Sequence, residues 1–525
     1  MVHQKKILLI LFIIILSATF LRFWSLVQYP PSLNWDEVSH AYNAYSLLKT
    51  GRDQWGIAFP FPNFRAFGDY PTVLNIYLTV PAIAIFGAND FAVRFPHALI
   101  GSLTCLMLFI AAYSWSKNKY IGLTAAFLCA FSPWTFFPSR AIFQSNWAVF
   151  LLSLSMALYF TKKYYLTFLI LTLSLFAYHN TRIFSPLIIT GIIFIIRKQK
   201  KLVFTGVISL IVALLLLLNP QSSARSPWVS IIDQGAVAFL EQARNTTKLP
   251  VLAARLLYNR PLYFGVSLVS HYFDYFSPRF LFLSGGTQYQ FSVPKFGLIN
   301  PVFLPFFYLG LFYLLRRKQY FLILWMAFSP LPAALTRDMD AVIRATTMIP
   351  AVYLTTAAGF IYFFRLINYR FIIPLFSLIL ISFSTIQYQY LHSYFTDYTQ
   401  NYASSWQYGY SQLTAYLEAK YPKYDQILIT KRYGEPHEFL LWYWPWNPTS
   451  YLSDPNLSWN YHDYWYWVDS FSKFRFINDW EMSAKVNNLP PDEKYLIISS
   501  APIPATRLTE IKYLDGQTAF YIYEK

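Results

Sequence analysis

Apolar residues in this chain fall in long blocks, with the polar residues confined to the gaps between them. The blocks cover 7–27, 94–114, 120–137, 147–161, 164–178, 183–196, 202–218, 299–315, 320–335, 345–364 and 371–388. Most approach the ~20 residues a helix needs to cross a bilayer, so the pattern predicts a polytopic α-helical membrane protein with about 11 transmembrane helices. One further stretch, Thr72–Phe86, is short and carries Pro81. It reads as an interfacial or re-entrant helix. The first block follows Lys5 and Lys6 with no small-residue cleavage site after it, and reads as a retained first helix.

Beyond Gln387 the long blocks stop and soluble periodicities begin. Ser404–Lys420 has the spacing of an amphipathic helix, and a second helix is expected around Pro436–Trp446. Gln426–Thr430, Tyr495–Ser499 and Ala519–Tyr523 read as short strands, with a turn-rich stretch over Asn447–Asp463. The chain is thus expected to divide into a transmembrane domain over 1–391 and a small C-terminal α/β domain over 392–525. Two further long polar-to-mixed segments interrupt the membrane part, 28–93 and 219–298. The second starts polar at Asn219–Ser226 and turns amphipathic near 230–244.

Composition agrees with a membrane class. Hydrophobic residues make up 56% of 525 and charged residues 13%, against roughly a quarter charged in soluble domains. The net charge of +17 would suggest nucleic acid in a soluble protein. Here the basic clusters, such as Arg197–Lys201, Arg316–Lys318 and Arg365–Arg370, lie in short loops where they set topology. Leaving Thr72–Phe86 out of the count puts every cluster on the cytoplasmic side. The N-terminus is then cytoplasmic, and the C-terminal domain is extracytoplasmic at the plasma membrane. No nucleic-acid partner is implied. Cys105 and Cys129 both sit in apolar blocks, which argues against a disulfide framework.

The candidate chemistry starts at Trp35-Asp36-Glu37, an acidic pair just past the first block, behind Pro30-Pro31. Val38, Ala41, Tyr42, Tyr45 and Leu48 follow at helical spacing, which suits a helix in the membrane interface. Arg94, Arg140, Arg182 and Arg344 each stand at the expected outer end of a span. An arginine there costs insertion energy unless it faces a partner, and its planar fork suits a phosphate. Asp36 is the candidate base and Glu37 an orienting or cation-holding acid. Asp69 is a possible second acid that also reads as a turn former. His40 reads as a satisfied interfacial histidine. The tryptophans at 442, 444, 446, 459, 465 and 467 read as packing ahead of sugar stacking.

The ordered motifs resemble the GT-C glycosyltransferases, in the branch of protein O-mannosyltransferases and the aminoarabinose transferases of lipid A. They are Trp35-Asp36-Glu37, Gly68-Asp69-Tyr70-Pro71-Thr72, the run Phe91–Leu99, Ser132-Pro133, Ser139-Arg140-Ala141, Arg182–Pro186, Tyr275–Gly286 and Arg344 with Pro350. The resemblance spans roughly 5–390 and implies a GT-C-like membrane enzyme using a polyprenyl-phosphate sugar donor. Asp36 would act as general base toward an acceptor hydroxyl, with inversion. The arginines would stabilise the departing phosphate, with or without a divalent cation such as Mg or Mn. No nucleotide is needed, and the acceptor would be a lipid, a glycan or a protein. The chain departs from the family where relatives carry a second acid. Gln144, Ser145 and Asn146 stand there, able to hydrogen-bond a sugar but not to carry charge. Gln288-Tyr289-Gln290 likewise replaces a histidine. The rival reading is a transporter or flippase of lipid-linked glycans, which would place its ionisable residues near mid-membrane.

Overall fold

The computed structural model describes residues 2–224, 229–462 and 465–525. The end of the polar stretch at 225–226 and Asp463 of the turn-rich stretch lie outside the described residues. By contacts the chain divides into two units. One contains Met1–Arg22, Leu99–Ser139 and Gln144–Leu391; the other contains Phe23–Ala98, Arg140–Phe143 and His392–Lys525.

Every predicted span falls on a helix, but the helices differ in length. Among the described residues five are long and apolar enough to cross a membrane: Lys5–Phe23, Asp90–Ser116, Lys200–Leu218, Arg344–Leu366 and Tyr369–Asn401. Lys119–Phe131 and Pro133–Arg140 make a sixth if their 64° bend lies within one span. Tyr164–Ser174, Thr181–Ile195, Pro301–Arg316 and Tyr320–Ala334 are shorter. A helix rises ~1.5 Å per residue, so these do not reach across ~30 Å of hydrocarbon unaided. Tyr164–Ser174 stops short of the expected 164–178 because apolar residues run on past its end, while the other three match their blocks to within a residue or two.

Two devices hold the first unit together. At the 64° bend the helix leaves carbonyls without intrahelical partners, which is costly away from water. The fully buried Arg22 donates to the Cys129 carbonyl at 2.9 Å, to that of Ala130 at 3.2 Å and to that of Ala18 at 3.2 Å. The second device is backbone contact between Leu304–Arg316 and Ile349–Leu366. A Cβ at Gly359 would stand 1.9 Å from the Phe306 carbonyl oxygen, and one at Gly310 would stand 2.0 Å from that of Thr355. Small residues permit such approach where lipid supplies no hydrophobic drive for helix association.

The second unit contains a seven-stranded sheet in the order β2-β3-β4-β1-β5-β7-β6. Its strands are β1 (Gln426–Thr430), β2 (Ser458–His462), β3 (Trp465–Phe471), β4 (Phe474–Ile477), β5 (Tyr495–Ser499), β6 (Thr506–Lys512) and β7 (Thr518–Glu524). β1 runs parallel to β4 and β5, and the remaining pairs are antiparallel. Leu428, Ile477, Met482, Val486 and Ile497 form part of its core. The three anticipated strands are β1, β5 and β7, each at least partly buried. β2 is exposed throughout and lies in the stretch read as turns. The same unit holds the helices Trp35–Thr50 and Val73–Phe86.

Replacing Gly359 by valine forces the two helices apart. A drop in unfolding free energy of about 1–3 kcal/mol is expected, read as a lowered melting temperature in detergent. Gly265→Val, where nothing lies within 4 Å, is the control and should melt as the wild type does.

Candidate functional site

The acidic motif opens the helix Trp35–Thr50 because Asn34 caps it. The Asn34 side chain accepts from the Glu37 backbone N–H at 3.0 Å, and Glu37 Oε2 accepts from the Asn34 backbone N–H at 3.0 Å. This reciprocal cap fixes the first turn, and the two acids then part company. The Asp36 side chain is exposed, whereas Glu37 is fully buried.

Glu37 Oε1 accepts from Arg94 Nε at 3.2 Å and from the Ile142 N–H at 3.0 Å, and Oε2 also accepts from Arg94 Nη2 at 3.3 Å. A carboxylate offers about four acceptor positions, and here all are taken. The arginine is spent as well. Arg94 is fully buried and donates to the carbonyls of Leu26, Val27, Pro30 and Ser32 besides Glu37. Arg140, equally buried, donates to the carbonyls of Trp24, Ser25 and Tyr29 and to the Tyr394 hydroxyl, with the Phe395 ring 5.4 Å away. Both guanidiniums therefore clamp the turn over 24–32 that leads into the acidic helix. The spacing suggested groups facing an anion; the structure has them facing backbone.

Asp69 is half-buried. Its Oδ1 accepts from the Tyr70 N–H at 2.7 Å, at a hairpin closed by Ala66 N–H to Asp69 carbonyl at 2.9 Å. The hairpin tip reaches the acidic helix through Phe67, whose ring lies 6.2 Å from Trp35 and stacks on Trp465 at 5.2 Å. Asp69 also acts on His40, which burial pulls down to about 4 and the Asp69 charge draws back up. Gly434 packs close against the Trp35 ring. Its φ is +101°, and a Cβ there would stand 2.2 Å from the indole.

Gln144, Asn146, Arg182 and Arg344 belong to the other unit. Asn146 is buried, donates to the Pro138 carbonyl at 2.8 Å and lines a small cavity with Ser139, Thr104 and Thr346. Gln144 is half-buried at the start of the helix Gln144–Phe160. Arg182 is buried, with Nε donating to the Leu175 carbonyl at 3.1 Å and Nη1 placed 3.2 Å from His179 Nδ1. The Asn180 amide donates to the Arg344 carbonyl and so joins these two segments. Arg344 Nη1 donates to Asp338 at 2.7 Å and to Thr336 at 3.0 Å, while Nε and Nη2 meet no acceptor among the described residues. Its guanidinium keeps donors to spare. Among the described residues no three His, Cys, Asp or Glu side chains form a metal-ion site. Glu37, with all four acceptor positions filled, has none left for a divalent cation.

Sequence reasoning missed Glu435, His437 and Glu438. All three are buried at the start of the helix Pro436–Tyr443. Burial pushes Glu435 up to about 7 and Glu438 up to about 8, and pulls His437 down to about 3. The contacts of His437 with Glu435 (3.5 Å) and Glu438 (3.6 Å) therefore join neutral groups between about pH 3 and 7. Glu438 accepts from Gln54 Nε2 at 2.7 Å, and Glu435 accepts from the Trp465 indole. Their signal was available: three ionisable residues open a helix that continues as Phe439-Leu440-Leu441-Trp442.

These buried groups give stability a definite dependence on pH. Both glutamates have folded-state values above 4.5, so their contribution is whole below 4.5 and is lost as pH climbs through about 7 and 8. His437 acts oppositely, losing its contribution as pH falls from 6.5 toward about 3. Between about pH 6 and 9 the unit should lose on the order of 1–3 kcal/mol, and Glu438→Gln should flatten that loss. Parallel melting curves for the two proteins would overturn this. Arg94→Met leaves the Glu37 charge buried and unpaired, and should cost about 3–5 kcal/mol in thermal or denaturant unfolding.

No protein-family model matches the chain, and no curated protein does. Solved structures give distant likenesses. The archaeal oligosaccharyltransferase AglB from Archaeoglobus fulgidus, in complex with an inhibitory peptide and a dolichol-phosphate, has a TM-score of 0.47 at 13% sequence identity. That match covers 84% of this chain and 64% of AglB, so the chain spans just under two thirds of that protein's length. ArnT from Cupriavidus metallidurans bound to undecaprenyl phosphate has a TM-score of 0.47 at 11% identity, covering 98% of this chain and 97% of ArnT. Likeness at this level assigns neither a family nor an activity.

Proposed function

We propose that the protein is a GT-C-type membrane glycosyltransferase moving a sugar from a polyprenyl-phosphate donor to an acceptor hydroxyl. The reading rests on the ordered motifs of the sequence. The observation that carries it furthest is the division of labour at Asp36 and Glu37. Glu37 is consumed by Arg94, the Ile142 N–H and the helix cap, while the neighbouring Asp36 is exposed on the capped first turn. A fixed, accessible carboxylate is what a general base needs.

In this proposal Asp36 accepts the proton of the acceptor hydroxyl as its oxygen bonds to the anomeric carbon. The bond from that carbon to the phosphate oxygen breaks on the opposite face, which gives inversion. A carboxylate is a weak base toward a hydroxyl, so in this proposal the proton moves late and placement supplies much of the rate. Negative charge develops on the leaving phosphate. Arg344, whose Nε and Nη2 meet no acceptor among the described residues, remains a proposed phosphate contact. Arg94 and Arg140 act as positioning residues through the 24–32 turn. Asp69, Gln144, Asn146 and Arg182 remain proposed substrate contacts. The proposed topology has about 11 spans, the N-terminus in the cytoplasm of a plasma-membrane protein and residues 392–525 outside.

The test is transfer of label from a panel of radiolabelled polyprenyl-phosphate sugars to native membrane extract. Asp36→Asn should lower transfer about 10²–10⁴-fold with an unchanged melting temperature. Full activity of the variant would remove Asp36 from the mechanism. Label carried across vesicles by the wild type without a new product would replace the enzyme with a transporter.

A further inference from the structure

Within the second unit, behind the clamped turn, lies a cavity of about 410 Å³. Its lining includes Gln28, Tyr29, Asp90, Tyr408, Ser411 and Gln412, and no lysine, arginine or histidine. One wall is the turn over 24–32, whose carbonyls are spent on Arg94 and Arg140. The opposite wall includes the start of the helix Tyr410–Lys420. Tyr443 ties the two sides of the turn's exit, with its hydroxyl 3.3 Å from Ser32 Oγ and accepting from the Leu33 N–H at 3.4 Å. The turn wall is backbone whose carbonyls are already engaged, whereas the helix opposite starts at Gly409 with no side-chain cap and so brings first-turn N–H groups to the other wall.

Asp90 sets the chemistry of this space. Its Oδ1 accepts from the Trp442 indole N–H at 3.0 Å, which fixes the carboxylate plane, and Oδ2 meets no donor among the described residues. The lining has a carboxylate and no lysine, arginine or histidine, which disfavours an anion beside Asp90, although the Arg94 charge also acts on Asp90. An apolar ligand would leave the carboxylate and the two glutamines unpaired, at a desolvation cost. A neutral polyhydroxylated ring satisfies every group. Hydroxyls donate to Asp90, the amides of Gln28 and Gln412 both donate and accept, and tyrosine rings cover the apolar C–H face of a sugar.

We propose that this cavity binds a neutral sugar residue through Asp90, Gln28 and Gln412. We further infer that the sugar belongs to the acceptor, which makes the acceptor a glycan. That second step rests on the transferase reading above; the binding does not.

The test is equilibrium binding of neutral disaccharides (mannobiose, cellobiose and chitobiose) to the full-length protein in lipid nanodiscs. Glucose 1-phosphate serves as the anionic counterpart, and Trp442 fluorescence gives a second readout. At least one neutral sugar should bind saturably at millimolar concentration or below, while the sugar phosphate should not. Gln412→Trp, a change at an exposed helix position that fills the cavity, should weaken binding about tenfold or more, and Asp90→Asn should do the same. Three results would overturn the proposal: no saturable binding by any member of the panel, affinity unchanged in both variants, or preference for the phosphate. No donor is present in these measurements, so binding is read separately from transfer, and loss of the transferase reading would leave a measured affinity standing.

Discussion

One buried ion pair sets the path of the chain around the acidic motif. Glu37 and Arg94 are fully enclosed, where an unpaired charge would cost several kcal/mol. Each is therefore held to the other and to backbone groups that complete its hydrogen bonds. Arg94 can satisfy its donors only if the chain at 26–32 folds around it, and Glu37 only if Asn34 caps the helix and the Ile142 N–H arrives. A charge that must be satisfied thus dictates the path of a loop that has no regular secondary structure of its own. Lysine could not replace Arg94, since a single ammonium cannot serve a bidentate carboxylate and several carbonyls together.

The second unit adds aromatic packing to this electrostatic frame. Trp35 packs close against Gly434 and lies near Phe67, and Phe67 in turn stacks on Trp465. The buried pair orients the helix from within, and these rings hold its N-terminal end. Glu438 reaches the same region through Gln54, so the C-terminal residues brace the segment that follows the acidic helix as well. Asp36 owes its fixed position to neighbours that never touch a substrate in the proposed reaction.

What the sequence made legible was whatever is encoded locally. The acidic helix, the helix Pro436–Tyr443 and strands β1, β5 and β7 follow from periodicity within a few residues. β2 did not, because an exposed edge strand rich in Trp, Tyr, Asn and His has no buried face to impose alternation. The span at 164–178 was overestimated because apolar residues continue past the end of its helix. The arginines show the sharper limit. Their places at the ends of apolar blocks were plain, but whether a guanidinium is spent depends on carbonyls elsewhere in the chain. Arg94 and Arg140 turned out saturated, and Arg344 kept donors in reserve. Asp90 drew no notice at all, since an acid in a first helical turn is ordinary until a cavity opens beside it.

The discontinuity of the second unit has a consequence for biosynthesis. Residues 23–98 leave the ribosome early, yet Gly434 and Trp465, which complete their packing, come roughly 300 residues or more later. At ordinary elongation rates that is on the order of 15–60 s. Through that interval the Trp35 indole and the hairpin at Phe67 wait without their partners while helix after helix enters the membrane. The part of the molecule proposed to do chemistry is thus among the first made and the last finished, and a chain truncated before residue 392 would insert its helices without ever assembling it.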